Sequence, residues 1–225
     1  RQYASYFGSS AQEEPWDISV DKFTGRVCMV GCTWGAVFPT LGSPFQSVSA
    51  GSQEGTVIVF DATGLPIYST YYGGNGHDEA FSSVFDINSN FTSLAGAYGV
   101  TDVFITRYSP DGSTMMWSSF LGGGDQLQGT ETAHSLICDS LNNIYLFGAT
   151  SSTDFPTTSG AFQSVHAGGS PNTNFYFNGV YFGSQGTDLY VSKLSATGQN
   201  LLASTYLGGS ANDGVNYSSL GLPYN

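Results

Sequence analysis

Most side chains able to bind or catalyse stand in one recurring place, just after a glycine-containing run. Glu13 and Glu14 follow Gly8, His77-Asp78-Glu79 follow Gly73-Gly74, Asp125 and Glu131 follow Gly122-Gly-Gly124, and Asp213 follows Gly208-Gly209. Carboxylates gathered from several loops are the ligands Ca²⁺ takes, at roughly six to eight oxygens, and they also suit the hydroxyls of a glycan. No loop has the dense Asp spacing of a dedicated calcium loop, so the same acids also read as caps of turns and as solvation of a rim. No cofactor and no metal ligand set is therefore assigned, Ca²⁺ being the one ion this pattern admits. A second group is aromatic: Phe175, Tyr176, Phe177, Tyr181 and Phe182 crowd into one stretch around Asn178-Gly179. Such a run gives a contact surface for a partner or glycan, or folds over its own sheet as a hairpin turning at Asn-Gly.

Nucleophilic and metal-assisted chemistry lacks its residues. His77, His134 and His166 stand alone, and no Gly-x-Ser-x-Gly elbow or His-Glu-x-x-His helix occurs. Gly122-Gly-Gly-Asp125 is followed by no lysine and opens no helix, which excludes a phosphate loop. Cys28 and Cys32 lie on one strand about 13 Å apart at ~3.3 Å per residue, too far to bridge, and read with Cys138 as buried free thiols. Asn90-Phe-Thr92 and Asn216-Tyr-Ser218 match the glycosylation pattern, which matters only for a eukaryotic source.

Charge narrows the partners. Lys plus Arg number 5 against 17 Asp plus Glu, a net charge of −12, and only 10% of residues are charged against roughly 25% in ordinary domains. Arg1, Lys22, Arg26, Arg107 and Lys193 are scattered, so no phosphate-binding patch can form and nucleic acid is excluded. No apolar run approaches the ~20 residues of a membrane span. A chain this poor in lysine and rich in Gly, Ser, Thr, Asn and Tyr fits an extracellular or cell-surface setting.

The elements that position these residues repeat. Tyr3-Ala-Ser-Tyr-Phe-Gly8 recurs as Tyr68-Ser-Thr-Tyr-Tyr-Gly-Gly74, Trp117-Ser-Ser-Phe-Leu-Gly-Gly123 and Ala203-Ser-Thr-Tyr-Leu-Gly-Gly209. Before the last three stands an alternating strand closed by a turn, at 57–64, 103–112 and 189–198. Phe38-Pro-Thr with Phe45-Gln-Ser-Val returns as Phe155-Pro-Thr with Phe162-Gln-Ser-Val. Period-two alternation broken by Asp, Asn and Gly predicts hairpins, and no segment carries helical periodicity. The fold class is all-β, in units of four antiparallel strands, A to D. Unit spacings are 65, 49 and 86 residues, read from Tyr6, Tyr71, Phe120 and Tyr206, and the shortest is near the ~40–50 of a propeller blade. The excess length sits between strands B and C.

The Ser204-Thr-Tyr-Leu-Gly-Gly-Ser210 run, the 151–163 run and the Lys193-Leu-Ser-x-x-Gly198 turn resemble the SBBP family, β-propeller repeats of large bacterial and archaeal secreted and surface proteins. The resemblance implies four-stranded blades and a scaffold or adhesion role, with no catalytic residues to carry over. Phe91-Thr-Ser-Leu-Ala-Gly96 departs from the family's B strand, and the 166–186 insertion lies outside its pattern.

Counted this way, the chain holds blades at 16–72, 80–121 and 132–207, a lone outer strand at 2–7 and a lone inner strand at 215–222. This describes an incomplete ring, a piece of a longer chain. The D–A and B–C loops share one face, with the acids expected to converge near the central channel. The leading expectation is a non-enzymatic structural or adhesion module whose partners are other domains of the same chain or surface proteins. The alternative is a propeller that binds or cleaves glycans with Asp78, Glu79, Asp125, Glu131 and Asp213.

Overall fold

The computed structural model describes residues 4, 6–97, 102–124, 129–169, 175–177, 180–182 and 186–214. It contains three four-stranded antiparallel sheets. Sheet I holds β1 (Glu13–Val20), β2 (Val27–Thr33), β3 (Glu54–Phe60) and β4 (Pro66–Tyr72) in that order. Sheet II holds β5 (Asp78–Phe85), β6 (Phe91–Ala97), β7 (Val103–Tyr108) and β8 (Met115–Leu121). Sheet III holds β9 (Glu131–Cys138), β10 (Ile144–Thr150), β13 (Asp188–Leu194) and β14 (Leu201–Leu207). Between β10 and β13 stands a short hairpin, β11 (Phe175–Phe177) and β12 (Val180–Phe182). Of the 2–7 segment, the described residues 4, 6 and 7 lie in no strand, and 215–222 falls outside the described residues.

The sheets share their irregularities as well as their strand order. Each first strand carries one extra residue at the same place, Trp16, Phe81 or His134, and each fourth strand carries one near its start, Ile67, Met116 or Leu202. A bulge adds local twist, so two bulges at fixed register give the three sheets one shape. The bulged Trp16 and Phe81 meet with ring centres 6.0 Å apart. Although Phe91–Ala97 departs from the repeat pattern, β6 is paired along both edges. Ladder bonds are made by the backbone, and the small residues there cost packing area rather than hydrogen bonds.

Asp-led turns close the first hairpin of each sheet. The loops from first to second strand open on Asp21, Asp86 and Asp139, whose carboxylates accept from amides two residues on: Phe23 at 3.0 Å, Asn88 at 2.7 Å and Leu141 at 2.9 Å. Each returns through a left-handed residue, Gly25, Ser89 or Asn142. The acceptor pattern at Asn90 is used internally: Asn90 is buried and its Nδ2 donates to Asp86 Oδ2 at 2.8 Å.

The sheets pack face to face. Cys28, Val30, Val57, Val59, Tyr68 and Tyr72 of sheet I bury against Ala80, Phe91, Ala95 and Tyr108 of sheet II. Leu94, Val103, Ile105 and Leu121 on the other side of sheet II bury against Leu136, Ile144, Leu146, Tyr190 and Tyr206 of sheet III. The first strands lie next to one another, β1 beside β5 and β5 beside β9. Two joints recur between sheets. The turn glycine Gly112 lies on the ring of Tyr68, and Gly198 lies on the ring of Trp117. Cations reinforce them: Arg26 Nη1 donates to Pro110 O at 2.5 Å, and Arg107 Nη1 donates to Ala196 O at 3.0 Å while pairing with buried Asp86.

Gly198 has φ +70 and a Cβ there would lie 2.6 Å from the Trp117 ring, whereas Gly160 has φ +83 and open space. Gly160→Ala is expected to cost about 1 kcal/mol from backbone strain alone, and Gly198→Ala roughly 2–4 kcal/mol, because the ring must also move. Urea denaturation of both variants checks the difference.

Candidate functional site

The acids singled out by position sit where one sheet hands the chain to the next. Each such loop is locked by a carboxylate that accepts from an amide shortly before it. Gly74 N donates to Asp78 Oδ2 at 2.8 Å, Gly209 N to Asp213 Oδ2 at 2.7 Å, Ser9 N to Glu13 Oε1 at 3.0 Å, and Gly123 N to Glu131 Oε2 at 3.4 Å. Between β4 and β5 and between β8 and β9 the chain has just left a strand, so its amides have no ladder partner, and Asp78 or Glu131, opening the next strand, supplies one.

A second acid faces three of these four locks, at Asp78, Glu131 and Asp213. Glu54, Asp102 and Asp188 stand at or just before the start of the third strands. A Cβ on Gly73 would lie 2.5 Å from Glu54 Oε2 and 2.6 Å from Asp78 Oδ2. At Gly122 the same position is crowded by Asp102 and lies 2.8 Å from Glu131 Oε2. At Gly208 it is crowded by Asp188 and lies 3.0 Å from Asp213 Oδ2. Glycine is required at these three places because the carboxylate pairs fill the space a side chain would take.

Burial sets the protonation behaviour. Asp78, Glu79 and Glu131 are 5%, 2% and 2% exposed, too little to meet a glycan. Desolvation raises Asp78, with the Glu54 charge adding to it against the Gly74 amide. Desolvation likewise pushes Glu131 up to about 7, against hydrogen bonds from Ser152 and Thr150. Asp102, bonded to Glu131, is raised by burial too. Glu79 is held by Gln53, whose Nε2 donates to Oε1 at 2.6 Å. Asp213 is half-buried, and Asp125 lies outside the described residues. The acids expected near one channel are thus distributed over separate sheet junctions. Among the described residues no three His, Cys, Asp or Glu side chains form a metal-ligand group.

Sequence reasoning missed Glu54, Asp102 and Asp188, and also Gln46 and Gln163. The repeated Phe-Gln-Ser-Val signature carried the signal for the glutamines. In each copy the glutamine backbone oxygen accepts from the fourth strand, from Tyr71 N at 3.1 Å and Tyr206 N at 3.0 Å. The side-chain Oε1 accepts from the first loop amide, Gly73 N at 3.2 Å and Gly208 N at 3.0 Å. The paired Phe-Pro-Thr signature places Phe38 and Phe155 in the core, beside Tyr71 and Tyr206. Tyr71 OH accepts from Phe38 N at 2.8 Å and donates to Gly35 O at 2.9 Å; Tyr206 OH donates to Ser152 O at 2.8 Å.

The aromatic stretch forms the β11–β12 hairpin with Phe177 opposite Val180, which brackets the Asn178-Gly179 turn position. The side chains of Phe175, Tyr176, Phe177, Tyr181 and Phe182 lie outside the described residues. Cys28 and Cys32 are buried free thiols, pushed up to about 12 by desolvation, while Cys138 is only half-buried because it ends β9. At the far ends of the first strands a cavity of ≈ 230 Å³ is lined by Val20, Asp21, Phe85, Asp86, Cys138 and Asp139. Its three aspartates are spent on their own turns. Among the described residues no helix is long and apolar enough to cross a membrane.

No protein-family model matches the chain, and no curated protein matches it.

Glu131 gives a pH signature. Its folded value of about 7 exceeds the ordinary 4.5, so the folded state keeps a proton that the unfolded chain has released. Its contribution is complete below pH ~4.5 and is lost as pH rises through ~7. Asp111 and Asp139, lowered to about 2 by hydrogen bonds from Ser109 and Asn143, act in the opposite direction below pH ~4. Stability is expected to decline by up to ~3 kcal/mol between pH 4.5 and 7 through Glu131, and Glu131→Gln to flatten that limb. Denaturation midpoints across pH 3–8 measure it.

Proposed function

We propose that the three sheets are consecutive blades of a β-propeller, and that the chain is a non-enzymatic structural or adhesion module of a large secreted or cell-surface protein. It meets other domains or surface proteins through the loop face that carries the 166–186 insertion. One observation carries the propeller reading. Val30 pairs with Val57 in sheet I, Leu94 with Ile105 in sheet II and Phe147 with Val191 in sheet III, at one common register. The first two pairs are buried by the sheet that follows, whereas Phe147 and Val191 are 38% and 36% exposed. Leu207, matching buried Tyr72 and Leu121, is 45% exposed. A face of the same make is left open where a further blade would lie. The outer side of sheet I is similar, with a cavity of ≈ 220 Å³ lined by Phe7, Met29, Phe38 and Ile58.

The non-enzymatic reading is supported by the burial of Asp78, Glu79 and Glu131 and by the use of Asp78 and Glu131 as loop locks, which leaves these acids no glycan to meet. The secreted or surface setting is supported by the low charge content and by the resemblance of the repeats.

Sedimentation velocity and a glycan hydrolysis panel test the proposal on one sample. Concentration-dependent association is expected, lost in Phe147→Glu/Val191→Glu with the fold retained, while Leu94→Ala at the covered register costs ~3 kcal/mol. A chain that stays monomeric at all concentrations counts against an open blade face. Glycan cleavage lost in Asp78→Ala or Asp213→Ala overturns the non-enzymatic reading.

A further inference from the structure

The carboxylate pairs at the sheet junctions differ in one respect. Glu54 is buried, and its Oε1 accepts from the amides of Ala50 and Gly51, the second at 2.6 Å. Its Oε2, also buried, has no hydrogen-bond partner. Asp188 repeats the arrangement: Oδ2 accepts from Ala167 N at 2.7 Å and Gln163 Nε2 at 3.0 Å, and buried Oδ1 has no partner. Each orphan oxygen faces the glycine that a second carboxylate also faces. Glu54 Oε2 and Asp78 Oδ2 lie 2.5 and 2.6 Å from the Cβ position of Gly73. Asp188 Oδ1 and Asp213 Oδ2 converge likewise at Gly208. At the middle junction, by contrast, Asp102 bonds directly to Glu131, and neither acid appears among the buried side chains lacking a partner.

A direct bond between the two acids satisfies the middle junction, whereas Glu54 Oε2 and Asp188 Oδ1 stay bare at the outer two. Backbone amides donate to all four outer carboxylates, Glu54, Asp78, Asp188 and Asp213, and hold them in place around the two glycines. Two carboxylates facing one point, one with a desolvated bare oxygen, are an expensive arrangement that a cation relieves. We infer that the Glu54–Asp78 and Asp188–Asp213 pairs each bind a hard divalent cation, Ca²⁺ by preference. All four donors are oxygens, no thiol or imidazole takes part, and Ca²⁺ completes an irregular shell with water and loop carbonyls more readily than Mg²⁺. Each site joins a third strand to the acid beyond the next loop, so the ion ties a sheet to its outgoing chain.

Calorimetric titration of CaCl₂ into chelator-treated protein, with MgCl₂ as a parallel arm, tests this. Two Ca²⁺ per chain and a rise in melting temperature are expected. Glu54→Gln removes one site, Asp188→Asn the other, their combination both, and Glu131→Gln neither. Should Glu54→Gln fail to fold, Asp78→Asn reports on the same site. No heat and no melting shift at millimolar Ca²⁺ overturns the inference, as does binding that survives the double variant. A Ca²⁺-insensitive chain that Glu54→Gln stabilises also overturns it, since the pair then holds a proton.

Discussion

A sheet that is apolar on both faces must be covered on both, and this constraint organises the molecule. Sheet II shows it in full: Phe91 and Tyr108 bury on one side, Leu94 and Ile105 on the other. Neighbouring sheets supply the cover, and so the surface left for charge is confined to loops and edges. That accounts for a chain in which only 10% of residues are charged. It also accounts for what the few cations do. Arg107 reaches from sheet II to the turn of sheet III, and Lys193, at the same register, pairs with Asp139 at 3.2 Å and lies over Tyr145. Face packing alone leaves two sheets free to slide. The Gly112–Tyr68 and Gly198–Trp117 joints fix the offset, since a backbone without a side chain is the only partner a flat ring can approach so closely.

Where the chain passes from one sheet to the next, the apolar packing stops and polar chemistry takes over. The loop amides need acceptors, and the acid opening the following strand supplies one at Asp78 and at Glu131. A second acid arrives from the third strand because its own loop amides need an acceptor as well. The carboxylate pairs are therefore a by-product of two separate hydrogen-bonding demands meeting at one glycine. Their electrostatic cost falls on the junction.

The strand pattern was open to reading because alternation and turns closed by Gly64, Gly112 and Gly198 are local signals. Three four-stranded antiparallel sheets follow from them, and so does the placing of 57–60, 103–108 and 189–194 in the third strands. The partnership between Glu54 and Asp78 was not legible. It joins residues 24 apart through a glycine, and neither acid stands in a spacing that any motif prescribes. Gln46 and Gln163 were visible as a repeat but not as a function, because the amide each serves belongs to a loop near the end of its unit. Burial of Asp78, Glu79 and Glu131 was equally hidden: acids in glycine-rich loops read as solvated until the neighbouring sheet is in place.

The pinned loops also determine how the chain carries load. Residues 73–77 and 122–130 are the sole covalent links between sheets, and each is fastened to the strand it feeds. Tension along the backbone therefore passes through these fastenings in series, whereas each sheet resists by four strands laced together. Such a molecule pays out in discrete lengths. The spans 13–72, 78–121 and 131–207 release roughly 200, 150 and 260 Å of contour when drawn straight. The differences arise in the connections between second and third strands, which lengthen or shorten a unit without disturbing its sheet. Extensibility and shape are thus set by separate parts of the same repeat.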